Sequence, residues 1–148
     1  SENAKAEKLF REVIRDHPDQ SEVYYSLGLL LAEMNKLPES AEVLEKAGEL
    51  MPDRARIFYN LGLIYQYLNN NTRAENNLLK AANIDPENQD FIYALADFYS
   101  KSGNRVKAEK WMNRMSNLCL MPGFTVFPSC QFQFCNNPFR FLTKINVR

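Results

Sequence analysis

The 148-residue chain has no apolar run long enough to cross a bilayer, which argues against a transmembrane protein. Its first residues read as helix, not as a signal peptide. Basic and acidic residues balance at 18 each, with no block of one sign, so neither a nucleic-acid nor a membrane footprint is expected. Histidine occurs once, at His17, and glycine five times. There is no paired-histidine metal site, no glycine-rich phosphate loop and no nucleophile motif. Cysteine is scarce and displaced: Cys119, Cys130 and Cys135 all lie in the last 30 residues. Three is an odd number without CxxC spacing, so neither a disulfide framework nor a zinc cluster is implied. The compartment stays open, with the cytoplasm fitting a soluble chain first and the periplasm second. Asp85-Pro86-Glu87 reads as a turn with helix-start acids, and Met112, Met115 and Met121 as core filling. The expectation is a chain without catalysis, cofactor or metal.

What is present is a repeat of 34 residues. Laid in register, residues 21–54, 55–88 and 89–122 put like residues at like places. The fourth position reads Tyr24, Phe58, Ile92; the seventh Leu27, Leu61, Leu95; the eighth Gly28, Gly62, Ala96. The eleventh reads Leu31, Tyr65, Tyr99, the twentieth Ser40, Ala74, Ala108, and the twenty-seventh Ala47, Ala81, Met115. Pro52 and Pro86 close two of the three units. Run backwards, the register places Ala6, Phe10 and Pro18 in the second half of an earlier unit spanning residues 1–20. A fixed period of this size signifies a solenoid of stacked units.

Within each unit apolar residues recur at three and four, the period of an amphipathic helix. The pattern predicts seven helices, over 3–16, 21–34, 38–50, 54–68, 72–84, 89–102 and 105–117. Asp19 with Glu22 predicts a capping box, and Pro38 suits the first turn of a helix, where a missing N–H costs nothing. Asn35, Asn69 and Gly103 fall at one turn position and accept left-handed backbone most readily. Pro18, Pro52 and Pro86 stop helices before the next pair begins. Gly28, Gly62 and Ala96 predict close helix approach, with Leu27, Leu44, Leu61, Leu78 and Leu95 filling the core.

Tyr24-Leu27-Gly28-Leu31, Phe58-Leu61-Gly62-Tyr65 and Ile92-Leu95-Ala96-Tyr99, followed by Ala74, Ala81 and Pro86, resemble the tetratricopeptide repeat family. The resemblance covers residues 4–118, with Ser40, Met115 and Leu120 departing from the pattern. It implies an all-α fold, a right-handed superhelix of helix pairs, whose concave groove is lined by each pair's first helix and binds peptides or proteins. Residues 1–118 would form the array. The runner-up role is an accessory or oligomerisation module of a larger enzyme or electron-transfer protein.

Helical geometry and the resemblance together direct the second, fifth, sixth, ninth, twelfth and thirteenth positions of each unit into the groove. The candidate binding residues are Tyr25, Leu29, Arg56, Tyr59, Asn60, Leu63, Tyr67, Asp90, Tyr93 and Asp97. Tyr25, Tyr59 and Tyr93 form a ladder, either to grip an extended peptide or simply to pack. A subset of the family clamps the C-terminal carboxylate of chaperones with lysine, asparagine and arginine. Only Asn60 matches that set; Tyr25, Leu29, Asp90 and Ala94 stand where its other members would be, and Asp90 and Asp97 would repel a carboxylate. Among groove positions four acids (Glu22, Glu33, Asp90, Asp97) face two bases (Arg56, Lys101), which favours a basic or amphipathic ligand. RNA binding by related helical repeats needs a basic groove, which is lacking here.

The two ends break the pattern. The half unit 1–20 exposes Leu9, Phe10, Val13 and Ile14 without a partner helix, which reads as part of a longer array and a route to homo-oligomers. Residues 119–148 hold six of the ten phenylalanines, three bases and no acid, with no helical period. Residues 131–135 alternate as a strand would, ahead of a turn at Asn136-Asn137-Pro138. This irregular tail is read as a folded-back cap over Met112, Met115 and Leu118, as a tethered groove ligand, or as a splice or frameshift remnant. The cap is the favoured reading.

Overall fold

The computed structural model describes residues 2–119; the expectations for the cap, the strand at 131–135, Cys130 and Cys135 lie outside them. Seven helices follow in order: α1 (Glu2–Asp16), α2 (Ser21–Glu33), α3 (Leu37–Leu50), α4 (Ala55–Tyr67), α5 (Asn71–Ile84), α6 (Gln89–Lys101) and α7 (Arg105–Cys119). Every predicted helix is present, with ends displaced by one or two residues. Among the described residues there is no strand. Packing is closest within the pairs α2–α3, α4–α5 and α6–α7, and each pair then stacks on the next through α3–α4 and α5–α6. This is the nearest-neighbour order of an all-α superhelix.

The turn inside each pair takes the conformation that the residue types predict. Asn35, Asn69 and Gly103 have φ of 59°, 58° and 78°. Left-handed backbone crowds Cβ, and asparagine and glycine tolerate it best. The predicted capping box is corrected: α2 starts from Gln20, which makes no side-chain cap. Asparagines do the capping elsewhere. Asn70 accepts from the Arg73 amide at 3.2 Å, Asn88 from the Asp90 amide at 3.1 Å and Asn104 from the Lys107 amide at 3.1 Å. Pro38 sits in the first turn of α3, as its missing N–H allows.

The core runs within the pairs and on between them. Leu27, Leu31, Leu44, Ile57, Leu61, Leu78, Phe91, Ile92 and Leu95 are all buried. Each such side chain contributes about 1.5–3 kcal/mol of burial. Gly28 and Gly62 make this packing possible. A Cβ at Gly28 would lie 2.5 Å from Leu44 Cγ, and one at Gly62 2.6 Å from Leu78 Cγ. Ser40, a departure from alanine, is fully buried, and its hydroxyl donates to the Gly28 carbonyl at 2.6 Å. That bond offsets the cost of burying a hydroxyl.

Candidate functional site: the wall of α2, α4 and α6

Side-chain contacts between the first helices of successive pairs bring five of the predicted groove residues, Tyr25, Arg56, Tyr59, Asn60 and Asp90, along one wall. Asn60 on α4 donates from Nδ2 to the Tyr25 hydroxyl on α2 at 3.3 Å. Arg56 on α4 donates to Asp90 on α6 at 3.1 Å, and the Tyr59 and Phe91 rings stand 5.2 Å apart. The two helical neighbours of α4 are thus each joined to it by side-chain contacts, one unit on either side.

The tyrosine ladder divides by depth. Tyr59 is buried, Tyr25 half-buried and Tyr93 36% exposed. Tyr59 therefore packs, wedged against Phe91 with the Arg56 guanidinium 5.2 Å above its ring. Burial pushes its hydroxyl up to about 12, with Asp90 adding to the rise and Arg56 opposing it. Burial also raises Tyr25, against the nearby charge of Arg54. The tyrosines that offer contact area are Tyr93 and Tyr67, the latter 55% exposed. Leu63 is half-buried and Leu29 lies in the core. Asn60 is 4% exposed, so its amide is held in place and spends one N–H on Tyr25.

The charges are arranged in pairs. Arg56 binds Asp90, Lys101 binds Asp97 at 2.6 Å, and Arg54 binds Glu22. Arg54 was missed by reasoning from groove positions because it precedes α4, yet its guanidinium sits 4.3 Å from the Tyr25 ring centroid. Its hydrogen bond to Glu22 holds its pKa above the ordinary value. The signal was available: it stands two residues before Arg56, beside the second position of the previous unit. With Arg54 counted, the wall holds four acids and three bases, nearly neutral.

The opposite side carries a second polar set. The Tyr65 hydroxyl donates to Glu45 at 2.5 Å and receives Arg73 at 2.7 Å. One unit later the Tyr99 hydroxyl donates to Glu75 at 2.7 Å, and Lys107 reaches Glu75 at 2.9 Å. Lys107 and then Tyr99 hold Glu75 below the usual carboxylate range. These clasps join three successive helices and leave no buried side-chain polar atom unsatisfied among the described residues.

Among the described residues no helix is long and apolar enough to cross a membrane, and no group of three or more histidine, cysteine or acidic side chains is placed to hold a metal ion. Two models described as Tetratricopeptide repeat match the sequence, one over residues 1–56 and the other over residues 67–118. No curated protein matches. Among solved structures, the chain is similar to MamA 41-end from Desulfovibrio magneticus RS-1, with a TM-score of 0.73 and 22% identity over 79% of this chain and 66% of that one. A double mutant described as MamA RS-1 ArsTM gives 0.74 and 22% over 80% and 66%, and another MamA crystal structure 0.78 and 19% over 85% and 70%. The chain spans just under two thirds of the length of the first two, and at these identities the likeness is one of fold.

Proposed function

The chain belongs to the tetratricopeptide repeat family, and from that premise we propose that it is a non-catalytic scaffold holding a peptide or partner protein along the wall of α2, α4 and α6. The observation that carries this reading is the division of labour within the wall. Tyr59, Asn60 and Phe91 are sunk and fix the surface, while Tyr67, Tyr93 and Leu63 present apolar and phenolic area from it. Exposed tyrosine offers large contact area at low entropic cost, with a hydroxyl for backbone groups. The internal ion pairs leave little net charge, so shape and aromatic contact set recognition and long-range attraction contributes little. A peptide with apolar side chains at alternate positions and a modest basic charge fits this wall.

The test is a peptide-array pull-down with the full chain, compared with Tyr93→Ala, Tyr67→Ala and Asn60→Ala. Loss of most captured signal in Tyr93→Ala and Tyr67→Ala, with the melting temperature kept, supports the wall as the binding face. Unchanged capture by all three variants removes it.

A further inference from the structure

Two surfaces compete for the phenylalanine-rich end of the chain, and charge separates them. Residues 1–100 carry 10 basic and 17 acidic side chains, whereas residues 101–148 carry 8 basic and 1 acidic. The outer face of α7, where a following unit would stack, belongs to the basic end. α7 bears Arg105, Lys107, Lys110 and Arg114 against Glu109 alone. Its outer face is also already polar: Asn113 and Ser116 are exposed at the places that Leu79 and Ala82 hold in α5. Met112 is 46% exposed in the place of buried Leu78. A polar outer face is how a repeat array ends without another unit. The register agrees: Thr125 and Ser129 stand where Phe91 and Leu95 stand in the preceding unit, with Pro128 between them.

The wall of α2, α4 and α6 is the better match. It exposes Tyr67 and Tyr93, and its three ion pairs (Arg54–Glu22, Arg56–Asp90 and Lys101–Asp97) leave an excess of one acid, Glu33, so unlike α7 it does not repel a basic segment. Residues 120–148 bring six phenylalanines together with Arg140, Lys144 and Arg148, and no acid. Aromatic rings pair with tyrosine faces, and bases over tyrosine gain cation–π attraction. Reach is ample: a chain advancing about 3.3 Å per residue spans several times the two helix spacings of about 10 Å that separate α2 from α6.

We infer that residues 120–148 are a ligand of this chain's own groove, an autoinhibitory segment that a foreign peptide must displace. This rests on the reading of the wall as the binding face. A tethered segment acts at millimolar effective concentration, so even a weak contact keeps the groove mostly filled. Foreign ligands then bind with an apparent affinity lowered by the filled fraction. The basic share of the contact weakens with salt, because the Debye length falls to about 3 Å at 1 M.

The full chain supplies its own probe sites. With Cys119→Ser, spin labels attach at Cys130 and Cys135 alone, and amide signals of the isotope-labelled chain report which surface they approach. The expected result is broadening around Tyr67 and Tyr93, not around Asn113 and Ser116, that weakens at high salt and is largely lost in the Tyr67→Ala, Tyr93→Ala double variant. Broadening centred on α7, no broadening, or broadening indifferent to the double variant overturns the inference. A mixture of spin-labelled chains with isotope-labelled cysteine-free chains covers exchange between molecules; broadening found only in that mixture assigns the segment to a second copy and also overturns it. No foreign ligand enters this measurement. A segment seen in the groove of a chain that captures no peptide keeps the segment's place but removes its autoinhibitory role together with the scaffold reading, whereas peptide capture with the segment elsewhere removes the inference and keeps that reading.

Discussion

Arg56 on α4 and Asp90 on α6 hold the second position of successive units, 34 residues apart, and meet at 3.1 Å. Glu22 holds the same position one unit earlier, so the sign alternates along the wall. Arg56 does more than its partner, because its guanidinium also lies 5.1 Å from the Phe91 ring and 5.2 Å from that of Tyr59. Both members of the pair are about two-fifths exposed, which confines the ion pair to roughly 0–1 kcal/mol. Asp90→Asn is therefore expected to shift urea unfolding by under about 1 kcal/mol. Arg56→Ala should cost visibly more, since it also strips cover from two buried rings. Equal costs would show that the ring contacts contribute nothing.

Close approach at Gly62 predicts a penalty with a known remedy. In Gly62→Ala the new Cβ meets Leu78 Cγ at 2.6 Å and the Leu78 amide nitrogen at 3.2 Å. Overpacking of this kind costs about 1–3 kcal/mol. Leu78→Val shortens the opposing side chain, so the double variant should lose less than the two single losses added together. Strict additivity in denaturant titrations would show that the glycine is not there for Leu78.

Much of the fold was legible because the period tied every element to two others. The turn conformations of Asn35, Asn69 and Gly103 could be read from residue type, since few residues tolerate positive φ. Helix starts were harder. Asp19 and Glu22 have capping chemistry, but α2 starts from Gln20, and the asparagines that do cap others (Asn70, Asn88, Asn104) do not share one sequence offset across all units. The site was legible as a set of positions, not as depths. Periodicity directs Tyr25, Tyr59 and Tyr93 to the same side, yet only the packing of Phe91 against Tyr59 makes the middle one core. Arg54 escaped because a long side chain reaches a surface that its own backbone position does not face.

Alkaline pH should loosen the structure in a defined window. Tyr59 titrates at about 12 in the fold because burial disfavours the phenolate, against about 10 in the unfolded chain. The folded state holds this proton more tightly, so the contribution is fully present below pH ~10 and is lost as pH rises through ~12. Tyr65 and Tyr99 are raised in the same direction, each by burial first and its glutamate partner next. Stability measured by urea titration should fall steadily above pH ~10. Tyr59→Phe removes one titrating group and should flatten that fall, while changing little at pH 7. A variant as alkali-sensitive as the parent would remove Tyr59 from this account.

Arg11 on α1 pairs with Glu39 on α3 at 2.8 Å, and one unit later Glu45 on α3 pairs with Arg73 on α5 at 3.1 Å. The positions correspond by 34 residues, and the charges are exchanged. Stacked on α5, a helix like α1 would set Arg11 against Arg73, so the reversal favours one order of units over the shuffled one. Like charges in contact are destabilising by about as much as opposite ones stabilise. Arg11→Glu should therefore lose about 0.5–1 kcal/mol, leaving Glu39 facing a second acid. Adding Glu39→Arg should recover most of that loss, but not all. Glu7 accepts from Arg11 at 3.0 Å and from Lys36 at 2.8 Å, and a glutamate at position 11 would repel it along α1. Glu45→Arg with Arg73→Glu should recover more completely, because the Tyr65 hydroxyl can donate to either carboxylate. Thermal melts of the four single and two double variants decide it. Equal recovery at both interfaces would remove Glu7 from the account, and no recovery at either would show that the reversal carries no information about unit order.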